Sequence, residues 1–161
     1  MKQFLTMLAL CAGITGFAQK PGNPVQLVNP AAVATPKGYS QAAVVDLGTA
    51  TMVLLSGQVA FDKQGNLVGR GNLGQQTEQV FLNMQNILKE LGGDMRHVVK
   101  IGCYLTDITQ LPAFRQARDR FIDTVHPPAS TLVQVSKLFR DDVLVEVEAT
   151  AIIPKQTNGS R

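Results

Sequence analysis

The run Val143–Ile153 limits the possible folds of this chain more than any other stretch. Val143, Val145, Val147, Ala149 and Ala151 alternate with Leu144, Glu146, Glu148 and Thr150. A period of two predicts a strand with one buried face, and the spacing of the glutamates puts both carboxylates on the other side. Carboxylates so placed either meet solvent or line a cleft, and the alternation alone leaves both readings open. A second β-rich run, Ser130–Val135, precedes it across the polar connection Ser136–Asp142.

The remaining elements follow from punctuation. Ala43–Leu47, the turn at Gly48 and Thr51–Phe61 predict a hairpin, and Asp62–Asn66 reads as a turn. Asn72 predicts a helix N-cap, with Val80, Met84, Ile87, Leu88 and Leu91 on one face and Gly92-Gly93 as the stop. His97–Thr106 reads as a strand. Asp107 or Thr109 opens a second helix, with Pro112 in its first turn. Its inward positions are Leu111, Phe114, Ala117, Phe121 and Val125, and Pro127-Pro128 ends it. The order β-β-α-β-α-β-β argues for an α+β domain with helices on one sheet face. The other face needs a cover that so short a chain does not supply, which predicts oligomerisation.

Residues 1–19 read as a secretory signal outside the fold. Lys2 makes a basic start, Phe4–Phe17 is mostly apolar, and Gly16-Phe17-Ala18 offers small residues for cleavage before Gln19. The apolar run is short for a membrane span, so the expected product has no stable membrane insertion. It is exported, either periplasmic or secreted. Residues 20–37 read as an extended lead-in with Val25–Val28 as a possible edge strand, residues 38–154 as the domain and 155–161 as a flexible tail.

Of 2 cysteines, only Cys103 survives loss of the signal, so no internal disulfide is possible. Its apolar setting, Val98–Leu105, predicts a buried inert thiol rather than a nucleophile. The charge balance is 15 basic against 12 acidic residues. With no basic run and few aromatics, it predicts no nucleic-acid partner. No His/Cys/Asp/Glu cluster has ligand spacing, so neither a metal nor an organic cofactor is expected. Gly69-Arg70-Gly71-Asn72-Leu73-Gly74 matches G-x-G-x-x-G, but a hairpin-like turn rather than a parallel strand precedes it. A flexible loop into a helix is the better reading.

The segment Pro128-Ala129-Ser130-Thr131-Leu132-Val133-Gln134-Val135, followed by Leu144-Val145-Glu146-Val147-Glu148-Ala149, resembles the C-terminal signature of the Rid (YjgF-type, reactive intermediate deaminase) family. Tyr39-Ser40-Gln41, Leu55-Ser56-Gly57-Gln58, Leu67-Val68-Gly69, Gln76-Thr77-Glu78-Gln79 and Tyr104-Leu105-Thr106-Asp107 add matches in the same order, over roughly Tyr39–Ile153. The resemblance implies a chorismate-mutase-like fold and a homotrimer with ligand clefts between subunits. It implies hydrolysis of small 2-imino or enamine acids, with Glu146 positioning or activating water. It also implies a ligand contacted by Tyr39, Ser56, Gly57 and the backbone around Thr131 and Leu132.

One departure stands out. Where the deaminases of this family carry an arginine that grips the substrate carboxylate, this chain has Ser130. A hydroxyl cannot replace a bidentate charged contact. Arg115 matches a position near the neighbouring subunit's cleft, and otherwise reads as a solvated helix arginine. Three functions follow: an imine hydrolase with altered substrate choice, a non-catalytic trimer that binds a small metabolite, and a ribonuclease. With only His97 and His126 as histidines, the third has the least support.

Overall fold

A computed structural model describes residues 22–155. Its strands are β1 (Val25–Val28), β2 (Ala42–Asp46), β3 (Ala50–Gln58), β4 (Val98–Leu105), β5 (Ala129–Gln134) and β6 (Val145–Pro154). The helices are α1 (Leu73–Glu90) between β3 and β4 and α2 (Leu111–Arg118) between β4 and β5. The strands form one sheet in the order β1-β2-β3-β6-β4-β5. β4 and β5 are parallel and the other pairs antiparallel. A parallel pair needs a crossover, and α2 provides it. This is a mixed α+β fold, and the proposed signal at 1–19 lies outside the described residues.

The alternation in β6 is realised as expected. Val145, Val147, Ala149, Ala151 and Ile153 are buried, while Glu146, Glu148, Thr150 and Ile152 face the other way. The buried set packs under α1, whose Val80, Phe81, Met84, Ile87 and Leu88 are fully enclosed. Phe81 stacks on Phe121 at 5.7 Å and leans on Phe114 of α2 at 6.4 Å. Both helices therefore sit on one side of the sheet, which leaves an open face opposite.

Helix ends follow local chemistry. The Asn72 side chain accepts a hydrogen bond from the Gln75 amide at 3.0 Å, which caps α1. At its far end Gly92 takes φ 82°. The Gly93 amide then reaches the Leu88 carbonyl at 2.8 Å and the Gly92 amide the Lys89 carbonyl at 3.2 Å, a Schellman stop. Gln76, fully buried, receives the Leu144 amide at 2.8 Å and donates to the Asp142 carbonyl at 2.8 Å. This side chain ties the start of β6 to α1.

The second helix is shorter than its pattern suggests. It ends at Arg118 instead of running to the prolines, and Val125 is 78% exposed rather than inward. The Asp123 carboxylate accepts the Val125 and His126 amides at 2.8 and 3.0 Å, and such local bonds compete with helix continuation. β3 stops at Gln58 rather than Phe61, and Phe61 instead bridges Leu67 across the Asp62–Asn66 turn. His97 lies in a one-turn 3-10 helix before β4, not on the strand. The glycine loop at 69–71 leads directly into α1, with Gly69 and Gly71 at φ 71° and 70°.

Candidate functional site

The site begins with a break in the sheet. Leu55 pairs with Ala149, but the next register pair is Gln58 with Val147, so β3 carries one extra residue at Ser56-Gly57. A bulge of this kind re-aims side chains and leaves part of the strand unpaired. The Glu146 side chain occupies the space over Gly57, where a Cβ would collide with its carboxylate. Glycine is needed there for close approach.

The bulge also fixes the neighbouring arm. Ser56 Oγ donates to the Ser40 carbonyl at 2.6 Å, and the Ser56 amide reaches the Gln41 carbonyl at 3.0 Å. Gln58 and Gln41 are buried. Gln58 Nε2 donates to Gln41 Oε1 at 2.8 Å, and Gln41 Nε2 donates to the Ala34 carbonyl at 2.9 Å. Asn29 Oδ1 accepts the Gln41 amide at 2.9 Å. This chain of amides anchors the segment that carries Tyr39, a residue 53% exposed and near enough to Glu146 to feel its charge.

The electrostatics match this placement. Burial first, then the charge of Glu148, raises the Glu146 carboxyl above its ordinary range. Burial and the charge of Glu146 raise the Tyr39 hydroxyl in turn. Glu148 points from the same face, and Tyr104 on β4 donates its hydroxyl to Glu148 Oε1 at 3.1 Å. Gly102 again permits the approach, since a Cβ there would lie 2.7 Å from Glu148 Oε1. A half-buried carboxyl with a raised pKa, seated over the glycine of a bulge, can take and return a proton.

The other expected residues lie elsewhere. Ser130 pairs with Ile101 and Leu132 with Cys103 in the parallel β4–β5 register, so both point to the helix side of the outermost strand. Thr131, opposite Gly102, points to the open face. Arg115 is exposed on α2. One chain thus brings together Tyr39, Ser56, Gly57 and Glu146, whereas Ser130, Leu132 and Arg115 face away from them. Cys103 is buried, and burial pushes its thiol up to about 11, which suits an inert core residue.

Sequence reasoning assigned no role to Tyr104, Gln41 or Gln58, although all three lie within the quoted motifs. It also passed over Lys100, which shares a shallow cavity of about 160 Å³ on the open face with Leu54, Gly102, Glu148 and Thr150. Its signal was a lone charge in the apolar run Val98–Leu105.

The profile of the family described as Endoribonuclease L-PSP matches residues 29–153. Protein DfrA of Myxococcus xanthus is 37% identical over 114 residues, covering 71% of this chain and 84% of the relative. A 2-iminobutanoate/2-iminopropanoate deaminase of Dermatophagoides farinae is 29% identical, covering 81% and 98%. The crystal structure of RidA from the Antarctic bacterium Psychrobacter superposes with a TM-score of 0.69 at 31% identity, over 80% of this chain and 99% of that one. The bulged strand, the Glu-x-Glu strand and the crossover to a parallel edge thus occur in a chain that belongs to the Endoribonuclease L-PSP family, that of the Rid (YjgF-type) proteins.

Proposed function

We propose that this protein hydrolyses small imines or enamines, with Glu146 as the proton-transfer group. The observation that carries the reading is the half-buried Glu146 carboxyl, raised in pKa and seated over Gly57, with Tyr39 near enough to feel its charge. Water adds to the imine carbon while Glu146 takes its proton. Return of that proton to nitrogen gives a carbinolamine; Glu146 then takes the hydroxyl proton and passes it to the amine, so that the C–N bond breaks to a carbonyl product and ammonia. The deaminase relative supports an acidic imine as the starting class to test.

The proposed assembly is a homotrimer. Ser130, Thr131 and Leu132 on the edge strand of one copy then approach Tyr39, Ser56, Gly57 and Glu146 of the next. Ser130 and Leu132 face away from Glu146 within one chain, and that opposite facing supports a cleft shared between copies. Ser130 in place of the arginine implied by the resemblance removes a charged anchor, at a cost of about 2–5 kcal/mol for an anionic ligand. Substrate choice is therefore altered toward less anionic or bulkier imines, unless Arg115 reaches the cleft across the interface.

The test is turnover of 2-iminopropanoate and of bulkier imines generated in situ, with Glu146→Gln and Arg115→Ala beside the wild type. Loss in both variants supports a relocated anchor, and loss in Glu146→Gln alone supports an uncharged pocket at Ser130. No turnover with any imine sinks the catalytic reading. Retained ligand binding by an inert wild type would favour the metabolite-binding trimer, which the serine at 130 makes the second reading. The family's description raises RNA cleavage as well. However, His97 Nδ1 is occupied by the Asp94 amide at 3.0 Å, and His126 is an exposed loop residue. An RNA-cleavage assay on the purified trimer decides that case. Export after loss of residues 1–19 is proposed on the signal pattern, and N-terminal sequencing of a fractionated periplasm checks it.

A further inference from the structure

Along β4 the open face carries Lys100, Gly102 and Tyr104, and β6 sets Thr150, Glu148 and Glu146 directly opposite them. Glu148 therefore faces a glycine, with a cation diagonal to it on one side and a phenol on the other. Its chain lies across Gly102, where a Cβ would come within 2.7 Å of Oε1. From there the carboxylate turns to one neighbour. It accepts the Tyr104 hydroxyl at 3.1 Å. No ion pair joins it to Lys100 among the described residues, although both border the cavity of about 160 Å³. Tyr104 stands opposite Glu146 itself, so the bond draws the second carboxylate toward the first. The Glu146 carboxyl registers this placement, since the charge of Glu148 adds to burial in raising it.

We propose that Tyr104 is a positioning residue for Glu146, which it serves by holding the Glu148 carboxylate away from Lys100 and beside the proton-transfer group. The inference rests on the Glu146 reading above and adds the residues that set its working pH range. A group that takes a proton and later returns it works best when its pKa lies close to the operating pH. Two same-face positions on a strand stand about 7 Å apart, close enough for one carboxylate to oppose ionisation of the other. An ion pair with Lys100 would cancel the Glu148 charge and turn it from Glu146. The phenol prevents this without a charge of its own, because its bond to Glu148, then the charge of Glu148, raise its ionisation above the ordinary range. The other groups around Glu146 leave the role to this pair. Tyr39 is a second neutral phenol, β3 offers Ser56 and Gly57, and β5 brings Ala129, Thr131 and Val133 to this face.

The experiment follows the Glu146 carboxyl across pH by carbon-13 NMR at low salt, on purified protein labelled at glutamate Cδ. Loss of one signal in Glu146→Gln assigns it, and circular dichroism confirms that each variant is folded. Tyr104→Phe and Glu148→Gln should each move the Glu146 titration to lower pH by about 0.3 pH units or more, the effect of one charge about 7 Å away through water. Lys100→Met removes the competing cation. Measured against Lys100→Met alone, adding Tyr104→Phe should then shift Glu146 by less than about half as much as it does with the lysine present. Where imine turnover is found, the acid limb of its kcat/KM profile should move with the NMR titration. A Glu146 titration unmoved in Tyr104→Phe or in Glu148→Gln overturns the proposal. So does a Tyr104→Phe shift that keeps its full size without Lys100. Absence of imine turnover counts against the catalytic reading alone, since the titration needs no substrate.

Discussion

On the helix side of β6, Val145, Val147 and Ala151 are completely enclosed, while one residue along the same strand Glu146 and Glu148 face open space. The contrast extends across the sheet. Beneath α1 the side chains interlock through Phe81, Phe114 and Phe121, whereas on the other side Leu27 is 70% and Leu54 42% exposed. The same backbone therefore presents a surface whose identity is set by volume and a surface whose identity is set by chemistry. The first is occupied within one chain and specifies the fold. The second presents Glu146, Glu148, Tyr104 and Lys100, none of which the core uses.

The largest break in this contrast comes from the filled side. Phe81→Ala should cost about 3–5 kcal/mol in urea unfolding, since it removes a fully buried ring and its stacking partners cannot close the gap. Gly57→Ala acts at the border between the two faces. The added methyl drives the Glu146 carboxylate from its place, and we expect imine turnover to drop by about 10–100-fold, worth about 1–3 kcal/mol. Near-unchanged circular dichroism would separate this from unfolding, and undiminished turnover would detach Glu146 from catalysis.

The pH dependence sharpens the contrast further. Because the folded Glu146 carboxyl has a raised pKa, the native state binds its proton more readily than the unfolded chain. Glu146 therefore subtracts stability as pH rises through its folded value. Glu146→Gln should melt higher than wild type at neutral pH, with the difference vanishing at pH values below the ordinary glutamate range. A lower melting temperature at pH 7 would contradict the placement. The smallest effect belongs to the open side, where Leu27→Ser should change the unfolding free energy of the dissociated chain by no more than about 0.5 kcal/mol. It should nevertheless weaken assembly in sedimentation.

How legible each part was in the sequence follows from the range of the interactions that set it. Alternation in β6, the Asn72 cap and the glycine stop of α1 depend on neighbours within a few residues, and the chain shows them. The length of α2 was misread because Phe121 and Val125 continue the helical period, while the competing bonds to Asp123 leave no trace in an apolar pattern. Ser56-Gly57 was visible as a motif but not as a bulge, because a bulge is a relation between two strands. Likewise the facing of Ser130 comes from its parallel register with β4, set by the crossover through α2. Lys100 went unremarked because a single charge in a strand acquires meaning only beside Glu148 on the next strand.

The chain of amides from Asn29 through Gln41 and Gln58 to the bulge sets the durability of the site. Tyr39 is held by a segment next to the two outermost strands on one side of the sheet, whereas Glu146 stands on a central one. Hydrogen exchange should therefore find the Tyr39 arm opening more readily than β6, as a sub-global unit of lower stability. On warming, the Tyr39 arm should open while the core is still intact. Imine turnover is then expected to fade at a temperature below the one at which circular dichroism reports melting.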